Sequence, residues 1–199
     1  REQRNKKFYQ SKYKEFKEKG IKECVIIADS RLMSVDIEGY SNLGVGGITL
    51  ATMLENLWQY KETGIKKALV SMGINDIVAK YNVEKIKENY KKLLELTKEK
   101  NIELTLTTIG YALFRDSIDN KLVKELKEIL SALFDKYRNE LKELNEYLEQ
   151  LTKEHNIKLI DINEELSENN HLKYKYTNDG LHYNKEGQKV LQEIINKNI

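Results

Sequence analysis

The segment Cys24-Val25-Ile26-Ile27-Ala28, which runs directly into Asp29-Ser30-Arg31, decides the fold class. Five consecutive apolar residues, three of them β-branched, are too few for a helix and are not interrupted by polar positions. They are typical of a strand that is buried on both faces of a parallel sheet.

Similar runs occur at 68–70, 104–109 and 157–162, with a weaker one at 40–45. Helical stretches separate them, at about 49–60, 83–99, 120–153 and 185–196. This alternation predicts an α/β fold: a three-layer α/β/α sandwich around a flavodoxin-like, parallel, five-stranded sheet.

The length and charge of the chain exclude several classes of protein. Its 199 residues fit one domain. Lys and Arg number 34 against 32 Asp and Glu, so the net charge is only +2. This balance argues against a nucleic-acid-binding protein, which concentrates basic charge on one face. A lone cysteine, Cys24, excludes an intrachain disulfide and a cysteine-based zinc cluster. No apolar run approaches the roughly 18 residues of a transmembrane segment, so we expect none in this chain.

The chain divides into an N-terminal helical extension, residues 1–20, and a single domain, residues 21–199. Aromatic residues at helical spacing predict that the extension is an amphipathic helix ending at Gly20. The chain begins at Arg1 rather than at a methionine. We therefore expect that a signal or anchor preceded it, and favour a secreted or envelope-anchored bacterial protein over a cytoplasmic one.

Four polar or glycine-rich clusters follow the predicted strands. They are Asp29-Ser30-Arg31 and the segments 44–49, 73–76 and 179–182. In open α/β sheets, ligands and catalytic groups gather at the carboxyl ends of the strands. The sequence therefore predicts an active site where these four clusters meet.

The residue types in these clusters suit nucleophilic acyl transfer. That chemistry needs a hydroxyl, a base beside it and a carboxylate that orients the base. Ser30 supplies the hydroxyl, and Asp179 and His182 lie three residues apart, which predicts that one helical turn brings their side chains together. An oxyanion also needs hydrogen-bond donors, for which Gly47 and Asn75 are the candidates.

At these positions the chain resembles the SGNH, or GDSL-type, hydrolase superfamily. The matching blocks are ADSRLMS (28–34), NLGVGGIT (42–49), GIND (73–76) and DGLHYNKEGQ (179–188). The resemblance extends over about residues 22–197 and implies a serine esterase or lipase that needs no cofactor. It implies that Ser30 is the nucleophile and that Asp179 orients His182 as the base. The oxyanion hole would combine Gly47 and Asn75 with the Ser30 backbone N–H.

Taken alone, each block also has an ordinary structural explanation. Asp179-Gly180 is a common turn pair, and Ser30 or Asn75-Asp76 could simply cap a following helix. The glycines at 44–47 lack the G-x-G-x-x-G pattern, so we expect no dinucleotide site. His155 and His171 lie outside the four clusters, so we expect no metal site.

Arg31, directly after the proposed nucleophile, has two interpretations. It could contact an anionic substrate, or it could pair with Asp29 or Asp36. The sequence leaves both open.

A helical insertion near 111–138 is the part least like the superfamily. Its apolar residues form a wide stripe: Leu122, Val123, Leu126, Ile129, Leu130, Leu133 and Phe134. Such a stripe fits a lid over the substrate cleft or a homodimer contact. A longer helix packed on its own domain is the alternative.

These observations predict a serine esterase that removes a short acyl group, with acetyl expected, from a carbohydrate or related hydroxylated substrate. Its partner is therefore a small-molecule or glycan ester. One alternative is an O-acyltransferase that uses the same triad on a glycan. The other is a non-catalytic binding module on a hydrolase fold, which an intact set of Ser, Gly, Asn, Asp and His argues against.

Overall fold

A parallel five-stranded sheet lies at the centre of the chain. The computed structural model describes residues 2–57, 64–112 and 123–199, and it describes the backbone alone at 2–6, 57 and 123–136. The strands are β1 (Cys24–Ala28), β2 (Tyr40–Asn42), β3 (Lys67–Ser71), β4 (Glu103–Thr107) and β5 (Lys158–Ile160). Their order is β2-β1-β3-β4-β5 and every neighbouring pair is parallel. The chain therefore reverses its direction of strand addition beside β1, where open sheets bind ligands.

Helices connect the strands and cover the sheet. They are α1 (Glu2–Lys19), α2 (Leu50–Leu57), α3 (Ile74–Val78), α4 (Val83–Glu99), α5 (Val123–His155), α6 (Asn163–Leu166) and α7 (Lys185–Lys197). A short antiparallel hairpin, β6 (Ser167–Glu168) and β7 (His171–Leu172), and a 3-10 turn at Tyr174–Tyr176 precede α7. Among the described residues, no helix is long and apolar enough to cross a membrane.

The two faces of the sheet have separate hydrophobic cores. Successive side chains of a strand point to opposite faces, and in β1 Val25 and Ile27 join one core while Ile26 and Ala28 join the other. The first core is completed by buried residues of α2, α4 and α5, together with Tyr9 of α1. The second is completed by residues of α6 and α7. Burial on both sides explains why the strand sequence is continuously apolar.

The predicted fold class is confirmed, with shorter strands than the apolar runs suggested. The run at 40–45 forms a strand only at Tyr40–Asn42, and the run at 157–162 only at Lys158–Ile160. The predicted long helix is α5, but residues 113–122 and the side chains up to 136 lie outside the described part. The lid, the dimer contact and the domain boundaries therefore stay predictions.

Candidate active site

The turn after β1 presents Ser30. Asp29 is buried, and its Oδ1 accepts a hydrogen bond of 2.9 Å from the backbone N–H of Arg31. The backbone N–H of Leu32 donates to the carbonyl of Asp29 at 3.3 Å. These two bonds fix the backbone on both sides of Ser30, so its side chain is held in place at the end of β1.

The loop between β2 and α2 lies against this turn. The N–H of Val45 donates to the carbonyl of Ala28 at 2.9 Å, which fixes the loop to the end of β1. A Cβ placed on Gly46 would lie 3.8 Å from the Cβ of Ser30, so the loop passes close to the serine. Gly47 has a φ of +72°, a conformation that other residues adopt only with strain. The glycine is required here by its backbone and not by lack of space.

Asn75 reaches the same loop from α3. Its Nδ2 donates a hydrogen bond of 3.0 Å to the carbonyl of Ile48. The side-chain amide carries two hydrogens, so a second donor remains for another acceptor. The adjacent Asp76 is fully buried, and its Oδ2 accepts from the N–H of Leu50 at 2.8 Å.

The segment that precedes α7 brings Asp179 and His182 together, but it does so without a helical turn. Residues 178–182 form a bend, closed by an isolated antiparallel bridge between Thr177 and Tyr183. Gly180, with a φ of +81°, breaks the helical path that the three-residue spacing suggested. That part of the sequence argument was wrong in its geometry, although the two side chains do meet.

A continuous hydrogen-bonded chain joins Ser30, His182 and Asp179. The Ser30 Oγ lies 3.0 Å from the His182 Nε2, and the His182 Nδ1 lies 2.6 Å from the Asp179 Oδ2. The other carboxylate oxygen, Oδ1, accepts the backbone N–H groups of Leu181 and His182 at 2.9 and 2.7 Å. With a hydrogen on Nδ1, the imidazole can accept the serine proton at Nε2.

The charge of Asp179 is held by these same contacts. Burial alone would raise the pKa of Asp179, but the imidazole of His182 and two backbone N–H groups outweigh it and lower the pKa to about 2. The carboxylate is therefore ionised at neutral pH and opposes the positive charge that His182 gains when it accepts a proton.

Arg31 is turned away from solvent. Its side chain is 3% exposed, its Nη1 donates to the carbonyl of Gly110 at 2.7 Å, and its Nε lies 3.7 Å from Asp29. The guanidinium also lies 5.9 Å from the ring centre of Tyr183. Of the two interpretations of Arg31, the ion pair with Asp29 is the one that the structure contains. Through these contacts Arg31 joins the turn of Ser30 to the segment that follows β4.

Sequence reasoning missed one support residue in this region. The hydroxyl of Thr177 donates to the carbonyl of His182 at 2.7 Å and accepts from the N–H of Gly180 at 2.9 Å. A threonine two residues before an Asp-Gly pair is a signal for such a turn. The other two histidines lie elsewhere, His155 at the end of α5 and His171 in β7. In the described segments no cluster of three or more His, Cys, Asp or Glu is placed to hold a metal ion.

A model of a known protein family matches most of the chain. Residues 29–190 match the GDSL-like lipase/acylhydrolase family, and this range includes all four clusters. The chain belongs to this family. Membership supports an acylhydrolase, and it places the hydrogen-bonded chain of Ser30, His182 and Asp179 in a family whose name denotes acyl hydrolysis.

Solved structures confirm the fold. A GDSL-like lipase from Bacteroides thetaiotaomicron superimposes with a TM-score of 0.70 at 20% identity, covering 97% of this chain and 96% of that one. A lipase/acylhydrolase from Enterococcus faecalis gives a TM-score of 0.58 at 16% identity, covering 87% of this chain and 94% of that one.

One curated relative is named for a reaction other than acyl hydrolysis. It is an N-acylneuraminate cytidylyltransferase from Streptococcus agalactiae serotype V, 36% identical over 192 residues. The match covers 96% of this chain but only 42% of the relative. This GDSL-family chain therefore corresponds to less than half of that protein.

Proposed function

We propose that this chain is a serine ester hydrolase that removes a short acyl group, with acetyl expected, from a hydroxyl of a carbohydrate. The observation that carries the proposal is the 3.0 Å contact between the Ser30 Oγ and the His182 Nε2, continued at 2.6 Å to Asp179. A hydroxyl, a base and an orienting carboxylate in this order form the apparatus of acyl transfer.

The reaction would proceed in two steps. His182 takes the proton of Ser30 as the Oγ bonds to the acyl carbon, and it then returns that proton to the departing sugar oxygen as the ester bond breaks. Water, deprotonated by His182, attacks the acyl-enzyme; the acyl–Ser30 bond breaks, and a carboxylic acid and the free serine are released. Asp179 holds the imidazole in the required tautomer throughout.

Three donors would bind the oxyanion of the tetrahedral intermediates. Within the described residues, the backbone N–H groups of Ser30 and Gly47 donate no hydrogen bond, and one hydrogen of the Asn75 amide is unused. Donors that are already held in place stabilise the charge as it develops, which is the largest single contribution in many such enzymes.

The exposure of the site favours a hydrolase over an acyltransferase. The side chains of His182 and Asp179 are 47% and 54% exposed. A base that is this accessible to water can activate it for the second step, and a bulky sugar can approach from solvent. An enzyme that passes the acyl group to a glycan would need to exclude water from this position.

The curated relative suggests which carbohydrate carries the ester. Its name contains N-acylneuraminate, and the region it shares with this chain is 36% identical. We propose that the substrate is an O-acyl ester of such a sugar, free or nucleotide-linked. More than half of the relative lies beyond the match, and we propose no nucleotide transfer for this chain.

Acetate release from an O-acetylated N-acylneuraminate tests the proposal. We expect release by the wild type, none above background by Ser30→Ala, and wild-type rates by Ser34→Ala, whose exposed serine lies in the same segment. Adding an unacetylated glycan should not divert acetate into a new ester. Activity of Ser30→Ala equal to wild type would overturn the mechanism. Activity on p-nitrophenyl acetate alone would overturn only the sugar.

A further inference from the structure

The buried carboxylate of Asp76 makes an unusual contact for a residue outside the triad. It lies in α3, directly after Asn75, yet its Oδ2 accepts the N–H of Leu50, the first residue of α2, at 2.8 Å. That helix already has a cap of its own. The hydroxyl of Thr49 accepts from the N–H of Thr52 at 3.1 Å, and the carbonyl of Thr49 accepts from Met53 at 2.9 Å. Asp76 is therefore a second, long-range cap on one short helix.

The position is unfavourable for a charge. Burial raises the pKa of Asp76 to about 6, although the N–H groups of Leu50 and Ala51 pull it down. Its Oδ1 has no hydrogen-bond partner in the part of the chain that the structure describes. A neutral residue would fill this space at a lower desolvation cost. Residues that cost stability are common where function requires them.

The neighbouring contact shows what the carboxylate holds. Asn75 donates to the carbonyl of Ile48, and Asp76 accepts from the N–H of Leu50. The two adjacent side chains therefore bind the backbone on both sides of Thr49. Asn75 donates to the carbonyl before it, and Asp76 accepts from the N–H after it. This is the loop that carries Gly47.

We propose that ionised Asp76 is a positioning residue for ester hydrolysis: it holds the loop so that the Gly47 N–H and the Asn75 amide stay aligned with Ser30. The proposal rests on the proposed function. Hydrogen bonds to a carboxylate are about twice as strong as those to a neutral oxygen. Alignment matters because oxyanion donors act only when they are placed before the charge develops.

Asp76→Asn is the decisive variant, because the amide keeps the shape and the oxygen that accepts from Leu50 but removes the charge. We expect kcat to fall about tenfold with KM within about twofold, since the loss affects the transition state and not substrate binding. At pH 7.5 the free energy of unfolding should be no lower than in wild type. A cap with a purely structural role predicts the opposite: a less stable protein with unchanged kcat.

Asp161→Asn is the matched control. Asp161 also follows a strand, β5, and its carboxylate accepts from the N–H of Asn163 at 2.9 Å, but it is exposed and does not touch the loop of Gly47. We expect its kcat to equal that of the wild type. An equal fall in kcat for both variants would mean that loss of any strand-end carboxylate impairs the enzyme, and would overturn the proposal.

A double-mutant cycle identifies the pathway of the effect. If Asp76 acts through the oxyanion donors, adding Asp76→Asn to Asn75→Ala should lower kcat by less than about threefold, because groups that act as a unit are not additive. A full tenfold further loss would place the action of Asp76 elsewhere. A wild-type protein without esterase activity, or a fully active Ser30→Ala, would instead reject the proposed function. If Ser30→Ala is inactive and Asp76→Asn is unchanged, only the present inference is rejected.

Discussion

The stability of the protein should depend on pH through Asp76 in a direction opposite to that of a carboxylate paired with a cation. Burial raises the pKa of Asp76 from 3.8 to about 6. The folded state therefore prefers the protonated acid. At about 1.36 kcal/mol per pH unit, a pKa of about 6 in place of 3.8 corresponds to about 3 kcal/mol. This stabilisation is present below pH 3.8 and is lost as the pH rises through 6. Asp29 adds to the shift by charge repulsion.

Urea unfolding of wild type and Asp76→Asn, followed by circular dichroism between pH 4 and 8, measures this effect. The other titrating groups are shared, so the contributions of all those that do not interact with Asp76 cancel in the difference between the two proteins. We expect that difference to change by about 2.4 kcal/mol in favour of the variant from pH 4 to pH 8, because part of the stabilisation is already lost at pH 4. A constant difference for Asp76→Asn, or one that moves towards the wild type at high pH, would refute the assignment of a costly buried charge.

Three further changes test the site and the insertion. Asn75→Ala should lower kcat about 10²–10³-fold in stopped-flow or steady-state assays with a smaller change in KM, and a change mainly in KM would mean that Asn75 binds the substrate instead. Asp179→Asn should lower kcat about 10³-fold or more, since the amide favours the wrong imidazole tautomer, and wild-type kcat would remove Asp179 from the triad. Replacing Leu126, Leu130 and Phe134 by polar residues should alter the mass by light scattering or the preference for acyl length; a loss of stability alone would mean that this segment is only core.

Much of the fold was accessible from the sequence because it depends on local patterns. Uninterrupted apolar runs such as 24–28 mark strands buried on two faces, and their alternation with helices leaves few topologies. Short elements were less accessible. The five-residue helix α3 lies between a strand and a loop and is too short for a periodic signal, so the helix that carries Asn75 was not predicted.

Ser30 and Asn75 could be found because they follow strands of the sheet, and Asp179 and His182 because they lie around a turn pair before the last helix. The residues that support them could not be found in this way. The contact from Asp76 to Leu50 spans 26 residues, and that from Arg31 to Gly110 spans 79. Such partners are chosen by how the loops pack and not by any nearby pattern. The bend at Asp179-Gly180, unlike these long-range contacts, had a local signal in the sequence, because Asp-Gly is a common turn pair. The three-residue spacing of Asp179 and His182 pointed instead to a helical turn, and we followed the spacing.

Three aspartates of this site make the same kind of interaction with the backbone, and their surroundings decide how it affects the stability of the folded protein. Asp29, Asp76 and Asp179 each accept backbone N–H groups and so shape the turn of the nucleophile, the loop of Gly47 and the turn of His182. Asp179 is half exposed and faces an imidazole, so its contacts lower its pKa to about 2 and its contribution to stability is lost only as the pH falls towards that value. Asp76 is fully buried, and no cation of the described residues pairs with it, so the same kind of contact cannot offset desolvation, and its contribution is lost as the pH rises. In the proposed mechanism, the carboxylate that orients the base therefore lies at the surface, where its charge costs the folded protein little. The role proposed for Asp76 differs, because a charge that holds the loop of Gly47 from within the core lowers the stability of the folded protein at every pH where it is ionised.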